Sequence, residues 1–126
     1  MTLILDAGAL VAIERRDDST LRSVERERRA RRVVVTHGGV VGQVWRAGGP
    51  RQALLARALT SIRVEPLDRK RGRRAGELLF LAGTSDVIDA AVVLLAKDGD
   101  DILTSDPGDL ARLAAAAEVD VDISAV

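Results

Sequence analysis

The chain has 126 residues, no cysteine, one histidine, and 19 Lys+Arg against 19 Asp+Glu, so it has the length of one self-sufficient domain. Thiolate nucleophiles, disulfides, zinc–thiolate sites, iron–sulfur clusters and sites built from several histidines are excluded. Trp45 and Phe80 are the only aromatics, which argues against a base-stacking surface, and no apolar run reaches the roughly 18 residues of a membrane span.

Thr2–Leu5 is a short apolar run ending at Asp6, the pattern of a buried strand. A brief helix follows through Ala7-Gly8, with apolar positions at Leu10, Val11 and Ile13. A helix predicted from about Thr20 carries Glu25/Arg29 and Glu27/Arg31 at i,i+4 spacing. Val33–Val35 is the second strand, and His37-Gly38-Gly39 turns the chain. Val40, Val41, Val44 and Trp45 then fall on one helical face, which makes Trp45 a core residue. Gly48-Gly49-Pro50 stops that helix, Gln52–Leu59 forms another, and Ile62–Val64 a third strand. Asp68 caps a helix from Arg69 to about Leu81, and Thr84-Ser85 caps one from Asp86 to Ala96. After an acidic turn at Asp98–Asp101 come the strand Ile102–Thr104, a helix over Asp109–Ala117, and an edge strand alternating at Val119, Val121 and Ile123. The alternation of short apolar strands with helices predicts one α/β domain over residues 1–126. It is a three-layer α/β/α arrangement on a mostly parallel sheet of about five strands.

Charge is divided along the chain. Met1–Arg74 holds 17 Lys+Arg and 8 Asp+Glu, a net +9, and Ala75–Val126 holds 2 and 11, a net −9. Either the halves neutralise each other in the fold, or one of them faces an anionic partner.

In open α/β sheets the functional crevice lies beyond the carboxyl ends of the strands. Asp6 ends the first strand and Asp106 the fourth. Asp86 and Asp89 share a helix face at i,i+3 spacing, and Asp109 opens the last helix. Like-charged carboxylates about 4 Å apart repel by about 4 kcal/mol per pair at an effective dielectric near 20. Raised pKa values or a bound cation relieve this, and oxygen donors without His or Cys favour Mg²⁺ or Mn²⁺. Helix capping also accounts for Asp86, Asp106 and Asp109 taken singly. It accounts less well for Asp6, and for Asp89 in its apolar surroundings. No G-x-G-x-x-G, P-loop or G-x-S-x-G occurs, which removes dinucleotide, P-loop and triad-hydrolase chemistry. His37 reads as a loop or capping histidine.

Four segments carry a family resemblance. Leu3-Ile4-Leu5-Asp6-Ala7-Gly8-Ala9-Leu10, Val40-Val41-Gly42-Gln43-Val44-Trp45-Arg46, Asp86-Val87-Ile88-Asp89-Ala90-Ala91 and Ile102-Leu103-Thr104-Ser105-Asp106-Pro107-Gly108-Asp109-Leu110 occur in that order. Together they resemble the PIN-domain family, most closely the VapC-type ribonuclease toxins of bacterial toxin–antitoxin pairs. The resemblance implies metal-dependent RNA hydrolysis. Asp6, Asp89 and Asp106 would hold one or two Mg²⁺ (or Mn²⁺), with Asp86 and Asp109 as further metal-site carboxylates and Thr104 orienting a carboxylate or phosphate. Either Asp86 or Asp89 fills the family's helix position, with Asp89 the better match. The resemblance also implies a cytoplasmic protein, a homodimer, an RNA substrate and a cognate antitoxin. The family has Glu where this chain has Gln43, an amide that can act neither as an anionic ligand nor as a general base. Two readings follow: a nuclease that works without this carboxylate, or an impaired PIN domain that binds RNA or antitoxin without efficient turnover. A phosphoacceptor receiver-like domain is disfavoured, because the middle strand ends in Glu65-Pro66 and no lysine follows Lys97.

Overall fold

The computed structural model describes residues 1–126. In chain order the elements are β1 (Thr2–Leu5), α1 (Ala7–Glu14), α2 (Asp18–Arg29), β2 (Val33–His37), α3 (Gly38–Val44) and α4 (Gly49–Leu59). They continue as β3 (Arg63–Glu65), α5 (Arg69–Ala82), α6 (Val87–Val93), β4 (Asp101–Thr104), α7 (Pro107–Ala116) and β5 (Asp122–Ala125). The strands form one sheet in the order β3-β2-β1-β4-β5, and every neighbouring pair is parallel. Leu3, Ile4, Leu5, Val34, Val35, Ile102 and Leu103 are buried, as continuous apolar runs in a parallel sheet covered on both faces must be. Helix α1 packs with α2, α3 and α4, while α5, α6 and α7 pack with one another, giving the three-layer α/β/α architecture.

The chain leaves β1 towards β2 and β3, then crosses back to lay β4 and β5 on the other side of β1. The β1/β4 boundary is therefore the topological switch point, and the strand ends there open a crevice. Asp6 and Ser105-Asp106 emerge at that crevice.

Several local expectations are corrected. Helix α3 stops at Val44, and Trp45 is extended and 40% exposed, so it is not a core residue. The cause lies in α4: buried Gln52 accepts from Arg46 N at 2.8 Å and Ala47 N at 3.2 Å, pulling the chain out of the helix. Gly49 and Pro50 begin α4 instead of ending α3. Arg31 adopts a left-handed φ of 56° beyond the end of α2, so Glu27 pairs with Arg32 at 2.7 Å and not with Arg31. Asp86, not Thr84-Ser85, caps α6. That helix ends at Val93, where Leu95 N and Ala96 N donate to carbonyls three residues back. Buried Asp100 then closes the turn, accepting from Lys97 N at 2.8 Å and from Thr2 N at 2.9 Å. The last strand begins only at Asp122, after Glu118 takes a left-handed φ of 55°, and it too is parallel.

Candidate acidic site

Two strand ends and two helix starts assemble the site. Asp6 is 4% exposed and caps α1, its Oδ1 accepting from Ala9 N at 2.9 Å. Its Oδ2 accepts a short 2.5 Å bond from the hydroxyl of fully buried Thr104 at the end of β4. The same hydroxyl oxygen accepts from Asp106 N at 2.8 Å. Thr104 thus links the carboxylate after β1 to the backbone after β4. Asp106 caps α7 through a long 3.5 Å contact from Asp109 N, and Asp86 caps α6 by accepting from Asp89 N at 3.0 Å. Gly8 permits the close approach of the two loops. A Cβ there would lie 2.1 Å from Ser105 Oγ and 2.8 Å from Ser105 N.

Electrostatics show that these groups act on one another. The Asp89 carboxyl is half-buried and pushed up to about 6, by burial first and then by the charges of Asp86, Asp6, Asp106 and Asp109. Asp109 is also raised, by its hydrogen bond to Asp106 and by that residue's charge, with Arg112 pulling the other way. A polar cleft of about 240 Å³ is lined by Asp86, Asp89, Asp109, Thr84, Ser85 and Arg112, among others. Three of the five carboxylates named from the sequence, Asp86, Asp89 and Asp109, thus line one cleft, and Asp6 and Asp106 act on Asp89 through their charge. As the side chains stand, no three of them, with or without His37, are arranged to hold a metal ion.

No protein-family model matches the chain, and no curated protein matches its sequence. By fold it is similar to a solved structure, VapBC2 from Rickettsia felis bound to a DNA fragment from their promoter. That likeness covers 98% of this chain and 99% of the other, with a TM-score of 0.72 and 15% sequence identity. The chain has the PIN-domain fold. At this identity the likeness is one of architecture.

Within the PIN fold, Gln43 sits exposed on α3. It lies one turn after Gly39, whose Cα faces α6 so closely that a Cβ would lie 2.6 Å from Ile88 Cδ1. Helical spacing puts Gln43 on that same face, towards the helix that carries Asp89. His37 fixes the approach. Its Nδ1 accepts from Gly39 N at 3.1 Å, so Nε2 bears the proton and donates to Ile88 O at 3.0 Å. Burial lowers its pKa, consistent with a neutral capping histidine that clamps α3 to α6. Sequence reasoning missed Arg112, Gln52 and the close approach that Gly8 permits. Only Gly8 left a signal, as a small residue directly after a strand-ending Asp.

Proposed function

We propose that this PIN-fold chain is a metal-dependent endoribonuclease, the toxin component of a toxin–antitoxin pair. The observation that carries the reading is the set Asp6, Asp86, Asp89, Asp106 and Asp109 around the switch point, where burial of Asp89 first, and then the charges of the other four, push its carboxyl up to about 6. Oxygen donors alone, with an excess of negative charge, fit a hard divalent cation, Mg²⁺ or Mn²⁺. Asp6, Asp89 and Asp106 would hold it, with exposed Asp86 and Asp109 as further carboxylates at the rim. Such a cation supplies an activated water and neutralises charge on the scissile phosphate. Thr104 acts as a positioning residue, fixing the Asp6 carboxylate relative to Asp106. Both Asp6 oxygens accept a hydrogen bond and each keeps a lone pair for a ligand. In-line attack on RNA would leave a 5′-phosphate and a 3′-hydroxyl.

The partners follow from the same reading. A cognate antitoxin would cover the acidic cleft, in keeping with the VapBC assembly of the structural neighbour. A second copy would cover Phe80 and Leu81, which stand 87% and 70% exposed in the last turns of α5. The chain would work in the cytoplasm, and no helix is long and apolar enough to cross a membrane.

Gln43 supports a second reading, a PIN domain that binds RNA or antitoxin without efficient turnover. Losing a carboxylate there lowers metal affinity or activity by at least about 10- to 100-fold. Cleavage of a mixed RNA pool with Mg²⁺ or Mn²⁺, against EDTA, decides between them when the chain is compared with Gln43→Glu. Metal-dependent cutting by the chain itself establishes the nuclease. Silence together with activity in Gln43→Glu means an intact scaffold disabled at one position. Silence in both sinks the catalytic reading of the acidic cluster.

A further inference from the structure

The two densest cation clusters of the first 74 residues, Arg26–Arg32 and Arg69–Arg74, lie at opposite poles of the fold. Helix α2 runs into the start of β2, so Arg26–Arg32 lie at the pole where strands begin. Asp101 and Asp122 open β4 and β5 at that same pole, directly paired in register. There Arg28 and Arg29 pair with Glu25, and Arg32 with Glu27. Arg26 and Glu27 share a cleft with Asp101 and Asp122. Asp101 is raised by burial and then by Asp122 and Glu27, so this pole is already crowded with carboxylates. Its cations are largely neutralised by the protein itself.

Helix α5 is placed differently. It follows the end of β3, whose Glu65 lies beside His37 at the end of β2, so its first turns stand at the pole of Asp6 and Asp106. Its body packs against α6, the helix that carries Asp89. Arg71 is tied down by Glu65 at 3.3 Å and by donation to Pro66 O at 3.1 Å. Arg69, Lys70, Arg73 and Arg74 are exposed and form no salt bridge. With Asp68, whose carboxylate caps the helix, they line an open cleft of about 600 Å³ that has no apolar residue. Arg69/Arg73 and Lys70/Arg74 are two i,i+4 pairs on adjacent stripes, each pair about 6 Å apart along the axis. Paired rows of cations without an apolar or aromatic floor suit a run of phosphodiesters and read no base.

We propose that the first two turns of α5 are the track on which the RNA backbone docks, and that the Arg26–Arg32 cluster is not. This rests on the ribonuclease reading and adds to it the surface that takes the substrate. The test is fluorescence anisotropy of the full chain with labelled single-stranded RNA in EDTA, titrated with KCl, so that binding is read without turnover. Replacing Arg69, Lys70, Arg73 and Arg74 together by Ala should lower the slope of log affinity against log salt by roughly 3, at about 0.7 per phosphate contact. The Arg69→Gln/Arg73→Gln pair should lower it by about half as much and guards against misfolding of the quadruple variant. Replacing Arg26, Arg28 and Arg29 by Ala should leave the slope unchanged. An unchanged slope in the α5 variants, an equal loss in the α2 variant, or tighter binding to duplex DNA of equal length overturns the proposal. So does a wild-type chain that binds no RNA in EDTA. Cleavage in Mg²⁺ is scored separately: α5-dependent binding with no cutting removes the nuclease reading and leaves the track standing.

Discussion

Asp89→Asn should stabilise the metal-free protein while removing its activity. The ionised Asp89 is opposed by burial and by four neighbouring carboxylates, which carry its pKa from 3.8 to about 6. At about 1.36 kcal/mol per pH unit, that displacement amounts to about 3 kcal/mol for a group fully shielded from water. Asp89 is half-buried, and solvent screening brings the penalty to about 1 to 2 kcal/mol. Its place in the first turn of α6 favours a negative charge by about 0.5 kcal/mol, which offsets part of this but does not reverse it. The net gain on substitution is roughly 1 kcal/mol, or about 3 to 5 °C in Tm for a domain this size. The sign with pH follows from the raised acid. The folded chain holds the proton more tightly, so wild-type stability falls as pH climbs from about 3.8 to about 6 and is level above that. Thermal and urea melts in EDTA should show the full advantage of Asn near pH 7.5, and only about a third of it near pH 4.5. An Asn variant less stable than wild type at the higher pH would refute the reasoning. A gap of equal size at both pH values would refute it too.

Gly8→Ala should cost about 1 to 3 kcal/mol and depress cleavage, because its Cβ meets the Ser105 backbone ahead of Asp106. Gly76→Ala on exposed α5, where nothing lies within 4 Å, should instead stabilise by about 0.5 to 1 kcal/mol in the same denaturation assay. Thr104→Val leaves Asp6 Oδ2 without its buried donor and should cost about 1 to 3 kcal/mol. Cleavage should fall with it, and wild-type stability in that variant would show the hydroxyl to be dispensable. Phe80→Glu should convert a dimer to a monomer by sedimentation and remove the dependence of Tm on protein concentration. A wild-type chain that sediments as a monomer at every concentration would remove the second copy from the α5 face.

Patterns within a few residues were readable without the fold. The apolar runs of β1, β2 and β4 declared buried strands, since a sheet covered on both faces needs no polar alternation. Asp68 declared a helix start, since a carboxylate three residues before an amide closes a cap locally, whereas Asp6 caps α1 although its place at the end of a buried strand argued against capping. Trp45 failed this kind of reading. Its apolar spacing was helical, but a glutamine seven residues on takes the amides that follow it and turns the ring outward.

The sequence by itself determined that five carboxylates lie near strand ends and helix starts, and that basic and acidic halves exist. Only the tertiary structure decided which of them meet. The order β3-β2-β1-β4-β5 sets the ends of β1 and β4 side by side, so that Thr104 bridges to Asp6 across 98 residues of chain. The same order sends Arg26–Arg32 and Arg69–Arg74 to opposite poles, although in sequence they form one basic half. Caps and periodicities depend on bonds a few residues long, whereas the meeting of charges depends on strand order, which no short stretch encodes.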